Sequence, residues 1–192
     1  MIATTMARRE DAVLIVVDEQ ERLASLMDRR ASVASATEKL VRTAGLVGVP
    51  IVVTRQYPKG LGESEAGLVQ TLADVEEAGS EVTHVDKLAF DCFREPQFTC
   101  TVTALGREQL VIVGMETHIC ITQTALSALH AGFDVHVVAD ACCSRDQATH
   151  DVALDRLRAA GATVTTSESV MYELVGEAGT DEFKALLAIV KS

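Results

Sequence analysis

The chain has 192 residues, enough for one domain with a sizeable core, and its 48% apolar and 23% charged residues are the balance of a globular protein. A formal net charge of −11 argues against a broad nucleic-acid surface, and no apolar run is long enough to cross a bilayer. With five Phe, two Tyr and no Trp, the core has to be built from Val, Leu, Ile and Ala.

From the N-terminus, Met1–Glu10 lacks the apolar core of a signal peptide, and the five cysteines include no C-x-x-C pair. Both point to a soluble, cytoplasmic protein in a reducing compartment. Ala12–Asp18 reads as a buried strand that ends in a carboxylate. Residues 31–47 read as a helix, with Val33, Ala36, Leu40, Val41, Ala44 and Val47 on one face. After Pro50 comes a second strand, Ile51–Thr54, and then a loop, Arg55–Gly62, marked by its proline and glycines. Residues 63–80 are weakly helical, and a short extended piece, Glu81–Val85, leads to Lys87.

Beyond Arg94-Glu-Pro96, residues 97–105 read as a helix, Leu110–Gly114 as a strand and Ile119–Ala131 as a helix stopped by Gly132. Val135–Ala139 is a further strand ending at Asp140. Residues 146–160 are helical, Ala162–Thr165 is a strand, and 168–175 and 181–190 are helices. Near-continuous apolar strands alternating with helices predict a three-layer α/β/α domain over residues 1–192, around a mostly parallel sheet of about six strands.

In open sheets of this kind function gathers at the carboxyl ends of the strands. That rule selects Asp18, Arg55–Tyr57, Met115–Cys120 and Asp140, with Lys87 close by. Thr117 reads as an N-cap, which places Cys120 in the first turn of a helix, where the dipole favours an anion. A thiol there either has its pKa lowered and serves as a nucleophile, or is a buried structural cysteine. With Asp18 as acid/base and Lys87 as cation, the set suits covalent catalysis at an electrophilic carbon.

The strand-terminal Asp18 with Gln20, Lys87 in Lys-Leu-Ala-Phe-Asp-Cys-Phe, Gly114-Met-Glu-Thr-His-Ile-Cys120, Gln123-Thr-Ala and Val138-Ala-Asp-Ala-Cys-Cys-Ser-Arg145 occur in order. Through them, from about Asp11 to Glu173, the chain resembles the isochorismatase-like cysteine hydrolases, which include nicotinamidases and N-carbamoylsarcosine amidases. The resemblance implies a catalytic triad of Cys120, Asp18 and Lys87, a cis peptide between Met115 and Glu116, and an oxyanion hole formed by the amides of Glu116 and Cys120. It also implies a small amide or related C–N substrate, a thioester intermediate, no cofactor and a homo-oligomer. Nicotinamidases carry an aspartate–histidine metal cluster after the second strand, whereas Arg55–Gly62 holds no histidine, so neither a metal nor nicotinamide is expected. Isochorismatases proper act without the cysteine. The loop looks most like that of the isochorismatase domain-containing proteins.

Several residues carry two readings. Gln20 either binds substrate or holds a neighbouring loop, and His118 either lines the pocket or is a hydrogen-bonded loop residue. Tyr57, Phe90 and Phe93 either wall the pocket or pack in the core. Asp140 and Arg145 suit packing or a subunit contact, and Cys92 and Cys100 suit the core. Adjacent Cys142 and Cys143 do not suit a disulfide. The competing functions are a non-catalytic small-molecule-binding protein and a thiol redox protein, although no resolving cysteine is evident.

Overall fold

The computed structural model describes residues 6–192; the first five residues of the stretch read for a signal sequence lie outside the described residues. Six strands, β1 (Ala12–Val17), β2 (Ile51–Gln56), β3 (Val82–Lys87), β4 (Gln109–Met115), β5 (Asp134–Cys143) and β6 (Thr163–Thr165), form one sheet. Every pairing is parallel, and the order is β3-β2-β1-β4-β5-β6. The α/β expectation holds.

The helices are α1 (Glu21–Ala24), α2 (Arg30–Val47), α3 (Pro58–Leu61), α4 (Ala66–Glu77), α5 (Pro96–Ala104), α6 (Thr122–His130), α7 (Gln147–Ala159), α8 (Ser167–Val175) and α9 (Asp181–Lys191). Helices α2, α4, α8 and α9 cover one face of the sheet, packing Leu40, Leu68, Leu72, Val170, Leu174 and Leu186 against Leu14, Val16, Val53 and Val113. Helices α5, α6 and α7 cover the other, where Phe98, Val102, Ala125, Ala128 and Leu157 meet Val13, Ile15, Val52 and Ile112. Each fully buried Val, Leu or Ile contributes roughly 1.5–3 kcal/mol, so these two layers carry most of the stability.

Local chemistry explains the boundaries. Helix α2 stops at Gly48, whose φ of 72° lets the Val49 N–H fold back onto the Ala44 carbonyl at 2.9 Å. Helix α7 is capped by Asp146, which accepts from the Thr149 N–H at 2.9 Å.

Three sequence expectations need correction. Strand β3 runs on to Lys87, because an edge strand with exposed His84 and Asp86 lacks the continuous apolar signal of its neighbours. Strand β5 runs past Asp140 to Cys143, with an irregularity that shifts its register against β4 between Ile112 and Gly114. The helix expected from Ile119 opens as a π-helical turn, Thr117–Ile121, and becomes α-helical only at Thr122. The short helices α1 and α3 have no sequence signal, since four residues show no periodicity.

Candidate active site

The sheet order reverses between β1 and β4: the chain leaves β1 toward β2 and β3, then returns to the other side of β1. Carboxyl ends at such a switch point form a crevice. The two strands approach closely there. A Cβ on Gly114 would lie 2.0 Å from the Val17 carbonyl oxygen, and Gly114 has a φ of +116°, so only glycine fits. The Met115–Glu116 peptide that follows is cis.

Asp18 comes directly after β1. Strict alternation would aim it at the α2 face, with Leu14 and Val16, but its φ of 54° breaks the alternation. Left-handed backbone costs a non-glycine residue roughly 1–2 kcal/mol, less for Asp than for most. The turned carboxylate meets Lys87 from the end of β3: Lys87 Nζ donates to Asp18 Oδ2 at 2.5 Å, and both side chains are fully buried.

Lys87 Nζ also donates to Gln56 Oε1 at 2.8 Å and faces the Ala89 and Phe90 carbonyls at 3.3 and 3.4 Å. Burial works against the ammonium, but the Asp18 carboxylate holds its pKa above that of an ordinary lysine. Thr54 Oγ1 donates to Asp18 Oδ1 at 2.8 Å, and Gln56 Nε2 donates to the Leu88 carbonyl at 2.7 Å. Sequence reasoning misses Thr54 and includes Gln56 only as part of the strand-end stretch Arg55–Tyr57, with no role of its own. The available signal was two polar residues two apart at the end of an otherwise apolar strand, on the same face as Val52.

Cys120 lies in the π-helical turn after β4, buried, close enough to Asp18 and Lys87 for both charges to act on its thiol. Here the sequence expectation fails. Burial first, then the Asp18 carboxylate, push the thiol pKa well above the ordinary cysteine value, with only Lys87 opposing. Cys120 is therefore a neutral thiol at rest, because desolvation outweighs the helix dipole. Thr117 is not an N-cap either: it is fully buried, and its hydroxyl meets His150 Nδ1 at 2.8 Å. The wide turn is held by the Ile119 and Ile121 N–H groups, which donate to the Glu116 carbonyl at 3.0 and 3.3 Å. π-Helical turns recur at functional sites.

The remaining candidates divide. Gln20 is fully buried and its amide is spent on main chain: Nε2 donates to the Gln56 and Gly62 carbonyls at 3.1 and 2.7 Å, and Oε1 accepts from the Gln56 N–H at 2.7 Å. It positions loops. Tyr57 and Phe90 are 51% and 53% exposed. The Tyr57 ring lies over Gly60, while the Phe90 carbonyl faces Lys87. Phe93 belongs to the core, edge-on to Phe98 at a centroid distance of 5.3 Å.

His118 Nδ1 meets Ser144 Oγ at 2.9 Å, and its ring borders an apolar groove of about 320 Å³ with Thr122, Val152 and Arg156, beside the thiol turn. Glu116 accepts from the N–H and Nε of Arg145 at 3.0 and 3.1 Å. Asp140 ties β5 to α8, accepting from the N–H and hydroxyl of Ser167 at 2.7 and 2.6 Å.

Cys92 is buried near Asp18 and Lys87; burial pushes its thiol up to about 12, with Lys87 opposing. Cys100, expected in the core, is exposed, and Cys142 and Cys143 are free thiols. Among the described residues no three His, Cys, Asp or Glu side chains converge as metal ligands, and no helix is long and apolar enough to cross a membrane.

The model of the isochorismatase domain matches residues 12–169. The chain is 37% identical over 186 residues to isochorismatase domain-containing protein 2A of Mus musculus, covering 95% of this chain and 84% of that protein. It is 35% identical over 181 residues to the secreted isochorismatase effector Isc1 of Phytophthora sojae, covering 94% and 84%. Against isochorismatase domain-containing protein 1 of Salmo salar, 34% identical and matched over 94% of this chain, it spans only 61% of the relative.

Among solved structures, MAR1 ribonuclease from Caenorhabditis elegans superposes with a TM-score of 0.88 at 30% identity, over 97% of this chain and 93% of that one. The Escherichia coli YcaC product, an octameric hydrolase of unknown specificity, superposes with a TM-score of 0.83 at 26% identity, over 98% and 92%.

Proposed function

The chain belongs to the isochorismatase family of hydrolases, and on that premise we propose that it hydrolyses a small amide or related C–N substrate through a thioester on Cys120. The observation that carries the reading is a buried Asp18 carboxylate paired with the Lys87 ammonium, with the buried Cys120 thiol close enough to be acted on by both charges.

A neutral resting thiol fits this chemistry. Asp18 takes the proton as Sγ attacks the carbonyl carbon, so no free thiolate has to be maintained in a buried site. The backbone N–H groups of Glu116 and Cys120 receive the tetrahedral oxyanion, an interaction worth about 2.7–4 kcal/mol per donor. The C–N bond breaks as Asp18 returns the proton to the leaving nitrogen. Water, deprotonated by the same carboxylate, then attacks the thioester, releasing the acid and restoring the thiol. Lys87 keeps Asp18 ionised and oriented, with Thr54 and Gln56 as its anchors.

A ribonuclease reading, prompted by the name of one structural neighbour, is disfavoured by a net charge of −11 and by a lysine already committed to a carboxylate. A peroxide-responsive thiol is disfavoured by the raised thiol pKa. The octameric state of the YcaC product supports a homo-oligomer here, and five free cysteines support a reducing, cytoplasmic setting.

Ammonia release should be screened over small primary amides and N-carbamoyl compounds, with acid-quenched protein weighed by mass spectrometry. An acyl adduct on Cys120, absent from a folded Cys120→Ala variant that has lost turnover, supports the reading. Turnover retained by Cys120→Ala rules it out.

A further inference from the structure

Three consecutive side chains of the thiol turn are tied to one short stretch after β5. Glu116 is held by Arg145, Thr117 by His150 and His118 by Ser144. The first of these links reaches the surface, since the Arg145 side chain is 56% exposed, and the second is buried. Only the Thr117–His150 contact joins two residues that are both closed to solvent, and it lies at the start of the π-helical turn, three positions before Cys120.

The chemistry of its neighbour fixes the state of that imidazole. Arg29 Nη1 points at His150 Nε2 from 3.5 Å, and a guanidinium can only donate. A neutral ring with Nε2 bare and Nδ1 protonated suits both contacts, accepting from Arg29 and donating to Thr117 Oγ1. Burial, reinforced by the Arg29 charge, lowers the His150 pKa and keeps the ring neutral.

On the far side of the same residue, the Thr117 carbonyl accepts from Thr122 Oγ1 at 2.6 Å. The turn is thus pinned at its first residue through both side chain and main chain. Neither His150 nor Arg29 belongs to the Cys120, Asp18 and Lys87 cluster.

We infer that His150 is a positioning residue: as a neutral imidazole anchored by Arg29, its Nδ1–H holds Thr117 and so sets the wide turn that presents Cys120 to Asp18. The inference rests on the reading of Cys120 as nucleophile but concerns the geometry of the turn, so the two can fail separately.

The test compares wild type, His150→Asn, His150→Leu and Thr117→Val. Asparagine keeps a donor at the position of Nδ1, leucine removes it, and valine removes the acceptor with little change of shape. The readouts are the rate of iodoacetamide alkylation at Cys120, with exposed Cys100 as internal control, and hydrogen exchange of the peptide covering residues 115–121.

The expected result is at least tenfold slower alkylation at Cys120 and at least tenfold faster exchange in the turn for His150→Leu and Thr117→Val. His150→Asn should stay within about threefold of wild type, and Cys100 should react equally in all four. A role limited to stability would lower the melting temperature and leave both native-state readouts unmoved; that result overturns the inference, as does failure of asparagine to rescue. If His150→Leu does not fold, Thr117→Val decides by the same criteria. Turnover retained by Cys120→Ala counts against the nucleophile reading, and the exchange data then decide the role of His150 alone.

Discussion

The Lys87 ammonium donates to the Asp18 carboxylate at 2.5 Å with both side chains shut away from water, although the residues stand 69 positions apart. In such a place each charge depends on the other. Removing one partner of a buried pair typically costs about 3–5 kcal/mol, because the survivor stays desolvated and uncompensated. Lys87→Met should therefore destabilise the protein by roughly that amount in urea unfolding. Asp18→Asn tolerates the left-handed backbone and removes only the charge. The double variant should lose less than the sum of the singles by at least about 1 kcal/mol. Strict additivity would show that the pair is not coupled.

Gly114→Ala should be among the most damaging single-methyl additions in the chain. The new Cβ would meet main chain, the Val17 carbonyl 2.0 Å away, so no rotamer change relieves it, and the φ of +116° is strained for any L side chain. An expected loss of more than about 4 kcal/mol separates the central strands at the site. A melting temperature within a few degrees of wild type would refute it.

Glu19 predicts an unusual pH dependence of stability. It follows Asp18 in the chain and is buried with neither oxygen hydrogen-bonded. Burial pushes its pKa up to about 7 from 4.5; the nearby Thr37 hydroxyl works against the rise, and Glu65 and Glu38 add to it. Between those values the folded protein keeps a proton that the unfolded chain has released. This contribution is therefore full below pH 4.5, declines as pH rises, and is gone above about 7. Glu19→Gln should flatten the decline and stabilise the protein at pH 8 by on the order of 2–3 kcal/mol. The check is urea unfolding at pH 5 and pH 8 for both proteins; an equal difference at the two pH values would sink the idea.

Asp140→Ala should cost about 1–2 kcal/mol, since it removes two short bonds to Ser167 at the start of α8. Asp140 lies beyond the thiol cluster, so alkylation at Cys120 should not change. A drop in that rate without a drop in stability would move Asp140 into the site.

The alternation of strand and helix was legible because it is written in local periodicity: Ala12–Val17 and Leu110–Val113 are apolar throughout, and Gly48 and Gly132 stop helices. Edge strand β3 was legible only in part, because one of its sides carries exposed polar residues. Asp18, Lys87 and Cys120 were legible as chemistry-bearing residues near the ends of elements and as parts of family motifs. Gln20 was half legible: its importance showed, but its commitment to the backbone of Gln56 and Gly62 depends on a loop some forty positions away. Thr54 was not legible and Gln56 was legible only by its place in Arg55–Tyr57, since a threonine and a glutamine at a strand end have no signature of their roles until Asp18 and Lys87 are seen to reach them.

The sequence by itself determined the class of fold, through local periodicity, and, through motifs that resemble a known family, the family and which carboxylate, amine and thiol to look for at the carboxyl edge of the sheet. The tertiary structure alone decided that β1 lies beside β4, that the Asp18 carboxylate pairs with Lys87, and that burial near Asp18 raises the Cys120 thiol pKa. The physical reason is that desolvation and charge pairing sum over whatever is near in space, and here those neighbours come from strands and turns that are distant along the chain.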